Sequence, residues 1–197
     1  MKHPARPVEQ PRSRTTFPES LKNKNPAQIR AEANAMVVES DHLGLMFGYL
    51  GAMSCLVLSC LGAAYGTAQA GLGLTRAGAR DPNMIIKGII PVAMAGVRGI
   101  YGLVLSIIIM SGIKPEGGYV QYNGYMHLGA GLCCGAAQFA SGIAVGVVGE
   151  SGTQAVGRQA KLFAPIVLIL IFTEALALYG LIVGMILAQS GQRRITE

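Results

Sequence analysis

The sequence predicts an all-α membrane protein in which four transmembrane helices form a duplicated helical hairpin, and three observations predict it. Of the 197 residues, 51% are hydrophobic and only 13% charged, a charge content well below that of ordinary soluble domains. The apolar residues collect into four stretches, roughly 43–70, 88–113, 125–149 and 163–189, each reaching the roughly 20 residues that cross a hydrocarbon core as helix. The halves also repeat. Ile100-Tyr101-Gly102-Leu103-Val104 answers Leu178-Tyr179-Gly180-Leu181-Ile182, and Gly62-Ala63-Ala64-Tyr65-Gly66 answers Gly142-Ile143-Ala144-Val145-Gly146.

In chain order, residues 1–43 form a polar N-terminal extension. Its first 25 residues are rich in Pro, Arg, Lys, Asn and Ser, a composition that buries too little apolar surface to order itself, so this part is expected to be disordered. Asn25-Pro26 supplies an N-cap and first-turn pair for a short polar helix leading towards the membrane. A structural or partner-docking tail is the plain reading of this extension. Residues 44–113 form the first hairpin, 114–190 the second, and 191–197 a C-terminal tail. No apolar segment of the secretory type occurs in 1–42, so the first membrane helix is expected to direct insertion.

The first helix carries Gly44, Gly48, Gly51, Gly62 and Gly66, and the third carries Gly131, Gly135, Gly142 and Gly146. Small residues at four-residue spacing let backbones approach closely, a main source of helix association in lipid. We therefore assign Gly62, Gly66, Gly131, Gly135, Gly142 and Gly146 to helix packing. Cys55, Cys60, Cys133 and Cys134 all fall inside predicted helices without the spacing of a metal site, and read as small apolar residues.

The net charge of +6 sits in the tail, the loops and the C-terminus. With no basic face interleaved with aromatics, nucleic acid is not an expected partner; charges flanking membrane spans account for it. The first loop holds Arg76, Arg80 and Lys87 and the third Arg158 and Lys161, whereas the second has only Lys114 against Glu116. The distribution of basic loop residues places loops 71–87 and 150–162 in the cytosol and both termini on the lumenal side, against the pull of the basic tail and of Arg193-Arg194.

One acid, Glu174, lies near the middle of the fourth stretch among Ile171, Phe172, Leu176 and Leu178. An ionisable group at bilayer depth is costly and marks a candidate functional site. Such surroundings favour the neutral acid, able to exchange a proton where an aqueous path or a cation reaches it. Thr173 and Tyr179 stand near enough in sequence to offer hydroxyls, with packing or the interface as Tyr179's other role. A structural acid bonded to a neighbouring helix is the other reading of Glu174.

The repeat sets Gly96 opposite Glu174, so only one copy carries the acid. Arg98 lies at similar depth in the second helix, which runs in the same direction as the fourth. If the two meet, pairing offsets part of the membrane cost of both charges and competes with proton loading. Otherwise the guanidinium points to a crevice between subunits or to water. His127 is expected at the interface where the third helix starts, with His3 and His42 on the N-terminal side, and no ligand spacing joins the three, so no metal and no cofactor is expected. No catalytic triad emerges. Glu39, Asp41, Asp81, Glu116 and Glu150 read as solvated loop charges.

The motifs GAAYGTA (62–68), IIPVAMAG (89–96), IYGLVLS (100–106), HLGAGL (127–132), SGIAVGVVGESG (141–152) and LFAPIVLILIFTEALALYGLIVG (162–184) together resemble the c-type proteolipids of eukaryotic V-type ATPases, over essentially all of 44–190. The resemblance implies a ring of such subunits in membrane lipid, the first and third helices inside and the second and fourth outside. It implies a stator a subunit and central-stalk subunits as partners, and no catalysis by the chain alone. It implies that Glu174 carries a proton past a stator arginine in a vacuolar or endosomal membrane, with Gly96, Arg98, Tyr101 and Val145 around the site. The chain departs from the pattern in its long extension and in Arg98, where vacuolar relatives have an aliphatic residue. Sodium-translocating relatives use Thr and Gln at what would be Val97 and Arg98, and Gln at what would be Val145; those ligands are absent, which favours protons. The related double-prime proteolipid has its acid in the earlier copy, and Gly96 argues against that form. A pore-forming or structural membrane oligomer is the reading from outside this family.

Overall fold

The structure, a computed structural model, describes residues 26–113, 119 and 121–193. The expected disorder of residues 1–25, the charges Lys114 and Glu116 and the end of the C-terminal tail lie outside the described residues. Four helices follow one another: α1 (Pro26–Gly78), α2 (Met84–Gly112), α3 (Gln121–Arg158) and α4 (Phe163–Arg193), with a single 3-10 turn at Ala160–Leu162 before α4. Among the described residues there is no strand. The segments His42–Gly78, Met84–Gly112, Gln121–Arg158 and Ala160–Ser190 are each long and apolar enough to cross a membrane. The chain divides into two units: Met1–Val38, whose described part begins α1, and Glu39–Glu197, which holds the rest of α1 and the other three helices.

Glycine decides how α1 and α3 meet. A Cβ on Gly142 would come within 2.8 Å of the Gly62 Cα, and one on Gly62 within 2.7 Å of the Phe139 Cα, so at this level backbone lies directly on backbone. Gly44 faces Gly124, Gly51 faces Gly131 and Gly66 faces Gly146 in the same register, which makes α1 and α3 a parallel pair joined at repeat-equivalent positions. All six glycines assigned to packing are buried. The α2 helix runs antiparallel to α1, with Gly102 against Ser59 and Gly88 against Leu74; α4 runs antiparallel to α3, with Gly180 against Ala137 and Gly184 against Ala130 and Cys134.

Two apolar clusters fill the space between the helices. The larger joins Cys55, Leu105, Ile109, Ala130, Cys134 and Ala188, and the smaller joins Ala95, Val145 and Leu170. Cys55 and Cys134 are buried and Cys60 and Cys133 exposed, and all four are free thiols. Large residues point outward instead: Ile86, Ile100 and Ile107 of α2 and Leu168, Phe172 and Ile186 of α4 are exposed. Small residues inside and large ones outside suit a lipid environment, where close backbone contact rather than apolar burial holds helices together.

The connections are shorter than the loops expected at 71–87 and 150–162. Helix α1 continues to Gly78 and α3 to Arg158, leaving 79–83 and Gln159 as the non-helical joints. The two helices remain in contact past the apolar stretch, because Gly73 packs on Glu150 and Thr153 and Arg76 forms an ion pair with Glu150. Glu150 is therefore a helix residue with a partner, a correction to its reading as a solvated loop charge. Asp81 closes the first joint by accepting the Asn83 backbone N–H at 3.0 Å.

Candidate functional site

Since α2 and α4 both run opposite to α3, their middles fall at the same level, and three mid-helix side chains converge there: Arg98 from α2, Ser141 from α3 and Glu174 from α4. Arg98 is 0% exposed. Its Nε donates to Ser141 Oγ at 2.9 Å and its Nη1 to the Met94 carbonyl, one turn back on α2, at 2.5 Å. Its Nη2 lies 3.2 Å from Glu174 Oε2. Ser141 completes the link by donating to the Thr173 carbonyl at 2.6 Å, so α2, α3 and α4 are tied together beside the acid. Of the two readings of Arg98, the structure gives the paired one.

The pair is unequal. Arg98 is anchored through two nitrogens. The Glu174 side chain is 18% exposed, yet both of its oxygens are shielded and neither accepts a well-formed hydrogen bond, nor does Nη2 donate one. The charge that compensates the carboxylate is the guanidinium, and the neutral Tyr101 hydroxyl faces the carboxylate from the next turn of α2. Taking a charge out of water costs several kcal/mol unless a partner offsets it, and the partner placed to do so for Glu174 is Arg98.

The remaining predicted residues stand around this centre. Thr173 enters through its backbone: its hydroxyl donates to the Leu170 carbonyl of its own helix at 2.7 Å, which corrects the expectation that it serves Glu174. Tyr179 is 61% exposed, on the outer face, which leaves it the packing or interfacial role. Val145 is buried against Ala95 and Leu170 one turn along α3 from Ser141. Gly96 is exposed, and a Cβ there would meet nothing nearer than the Thr67 methyl at 3.9 Å, so the position opposite Glu174 in the repeat is open. His127, near the start of α3, is buried, its Nδ1 2.5 Å from the Tyr119 hydroxyl. Among the described residues no cluster of His, Cys, Asp or Glu is placed to hold a metal.

Sequence reasoning missed Ser141 and Gln138. Ser141 stands in a stripe of small residues and reads there as packing; Gln138, which donates to the Ala177 carbonyl at 3.0 Å, is a lone amide in an apolar stretch. The available signal was their spacing. Positions 138, 141 and 145 fall on one face of α3, the face that carries the packing glycines Gly131, Gly135 and Gly142.

Fold and site define a class: a duplicated-hairpin membrane protein with one acid at the centre of its last helix and a vacant equivalent in the first copy. The family model for the C subunit of ATP synthase matches the chain twice, over residues 50–109 and 128–187. These matches cover more than half of the sequence, one per hairpin, and their starts lie as far apart as Gly96 and Glu174. The chain belongs to this family, the non-catalytic proteolipids that assemble into the proton-translocating rotor rings of ATPase complexes.

Proposed function

We propose that the chain is the proton-carrying rotor-ring proteolipid of a V-type ATPase, with Glu174 the carrier. Copies of the chain, with other c-type proteolipids, form a ring in lipid; each Glu174 takes up a proton through one half-channel, is carried round in the plane of the membrane by the turning ring, and releases the proton through another half-channel beside the stator a subunit. ATP hydrolysis in a separate sector drives rotation through central-stalk subunits, and the product is acidification of a vacuolar or endosomal compartment. The observation that carries this reading is a carboxyl group near the middle of α4, remote from both helix ends, in a chain whose other spanning acid, Glu150, is paired at the end of α3. Support for the V-type form comes from the doubled hairpin with its acid in the second copy alone. Loop charge supports a cytosolic position for the α1–α2 and α3–α4 joints and lumenal termini.

The test is carbodiimide labelling and pumping in membrane vesicles. Selective modification at Glu174 with loss of ATP-driven acidification is the expected result, together with loss of acidification in Glu174→Gln. A second reading draws on the ion pair itself: an acid bonded to an arginine on a neighbouring helix is also what a purely structural or pore-forming oligomer would use as glue. Undiminished pumping by Glu174→Gln vesicles decides for that reading.

A further inference from the structure

The carboxylate of Glu174 faces a cation that belongs to its own chain. Arg98 stands where a loaded proton or metal ion would have to act, and it is fixed: Nε on Ser141 at 2.9 Å, Nη1 on the Met94 carbonyl at 2.5 Å, and no exposed surface. Glu174 is held on the other side by a 3.2 Å contact to Nη2 that makes no well-formed hydrogen bond. When such a pair opens, the partner with fewer bonds moves.

We propose that Arg98 is a resident counter-cation that positions Glu174 in an ionised, inward-facing state, so that loading is an exchange in which a proton replaces Arg98 as the carboxylate's partner. The inference rests on the proton-carrier reading of Glu174. In the exchange a proton from the aqueous path bonds to a Glu174 oxygen, the carboxyl becomes neutral and free to turn outward, and Arg98 keeps its charge and its bonds to Ser141 and Met94. The titratable groups facing Glu174 are Arg98 and Tyr101 from α2; α3 presents the uncharged Ser141 and Gln138. A covalently attached cation in this position also leaves no room for sodium. Because protonating Glu174 leaves a buried guanidinium without its counter-ion, a costly state, Arg98 restrains loading rather than assisting it.

Carbodiimides attack the protonated carboxyl, so their rate of incorporation into assembled rings at fixed neutral pH reads the loaded fraction. Arg98→Ile is expected to label at Glu174 about tenfold faster than the native ring or more, since an opposite charge at this range favours ionisation by a factor of that order or larger. Arg98→Lys keeps the charge and is expected to stay within about threefold of native. Added sodium is expected to leave the native rate unchanged. Should Arg98→Ile rings fail to assemble, Ser141→Ala, which frees Nε, is expected to accelerate labelling by a smaller factor. Equal rates in the native ring and in Arg98→Ile, or in Ser141→Ala where Arg98→Ile does not assemble, would overturn the proposal, as would sodium protection of the native ring. Pumping by Glu174→Gln would instead overturn the carrier reading, whatever the labelling rates.

Discussion

Gly142 of α3 rests on Gly62 of α1 so closely that a methyl group on Gly142 would come within 2.5 Å of the Gly62 carbonyl carbon. The neighbour is backbone and has no rotamer to yield, so Gly142→Ala forces the helices apart. We expect it to cost about 1–3 kcal/mol and to weaken the assembled ring. Gly71 and Gly129 have nothing within 4 Å of a built Cβ, and alanine there is expected to be neutral or to stabilise by up to about 1 kcal/mol through helix propensity. Thermal unfolding in detergent separates the two groups; a uniform response would contradict backbone contact as the cause.

Tyr119 closes the opposite end of the bundle on His127. With the imidazole proton on Nε2, the phenol donates to Nδ1 at 2.5 Å. Tyr119→Phe leaves that nitrogen buried without a partner, and the expected loss is about 1–3 kcal/mol. Burial first, and Tyr49 second, push the Tyr119 hydroxyl from 10.0 up to about 12. The unfolded chain gives up that proton earlier as pH rises, so this contribution is complete below pH 10 and is lost as pH climbs towards 12. A pH series of melting temperatures is expected to fall through that window in the native protein and to fall less in Tyr119→Phe.

The spans, the repeat and the shared depth of Arg98 and Glu174 were legible in the sequence because each depends only on counting residues along helices. What the two charges touch depends on helix rotation, which the serine of α3 helps to fix. Ser141 looks like one more small residue in a glycine stripe, and only its place between α2 and α4 gives it two hydrogen bonds. Glu150 was hidden because α1 and α3 stay helical beyond the apolar stretch on which the loops were judged. His127 was hidden because its partner, Tyr119, lies in the connection before α3, where hydropathy carries no signal about burial.

Arg76 and Glu150 form an ion pair with side chains 59% and 28% exposed, and water and salt screen much of their attraction. Arg76→Ala is expected to lower stability by less than about 1 kcal/mol, and the difference from native is expected to shrink in high salt. The lasting bond between α1 and α3 at this end is Gly73, where a Cβ would come within 2.5 Å of both the Glu150 Cα and the Thr153 hydroxyl. Gly73→Leu is expected to cost more than Arg76→Ala, about 1–3 kcal/mol or above, independent of salt. A larger effect from Arg76→Ala would show that charge, not contact, extends the pair.

Removing one member of the Arg98–Glu174 pair is expected to be unequal in cost. A guanidinium does not lose its proton inside a protein, so Glu174→Leu strands a fixed positive charge among three helices, offset only by Ser141 and the Met94 carbonyl. A carboxylate left alone has a way out, since it takes up a proton and becomes neutral. Glu174→Leu is therefore expected to destabilise by about 3–5 kcal/mol, Arg98→Ile by clearly less, and the double variant by less than Glu174→Leu, because apolar residues of similar size replace both charges. Denaturation of the detergent-solubilised protein, taken as a double-mutant cycle, measures all three. If Arg98→Ile proves the costlier single change, the lone carboxyl does not escape by taking up a proton, and the guanidinium is the better compensated member of the pair.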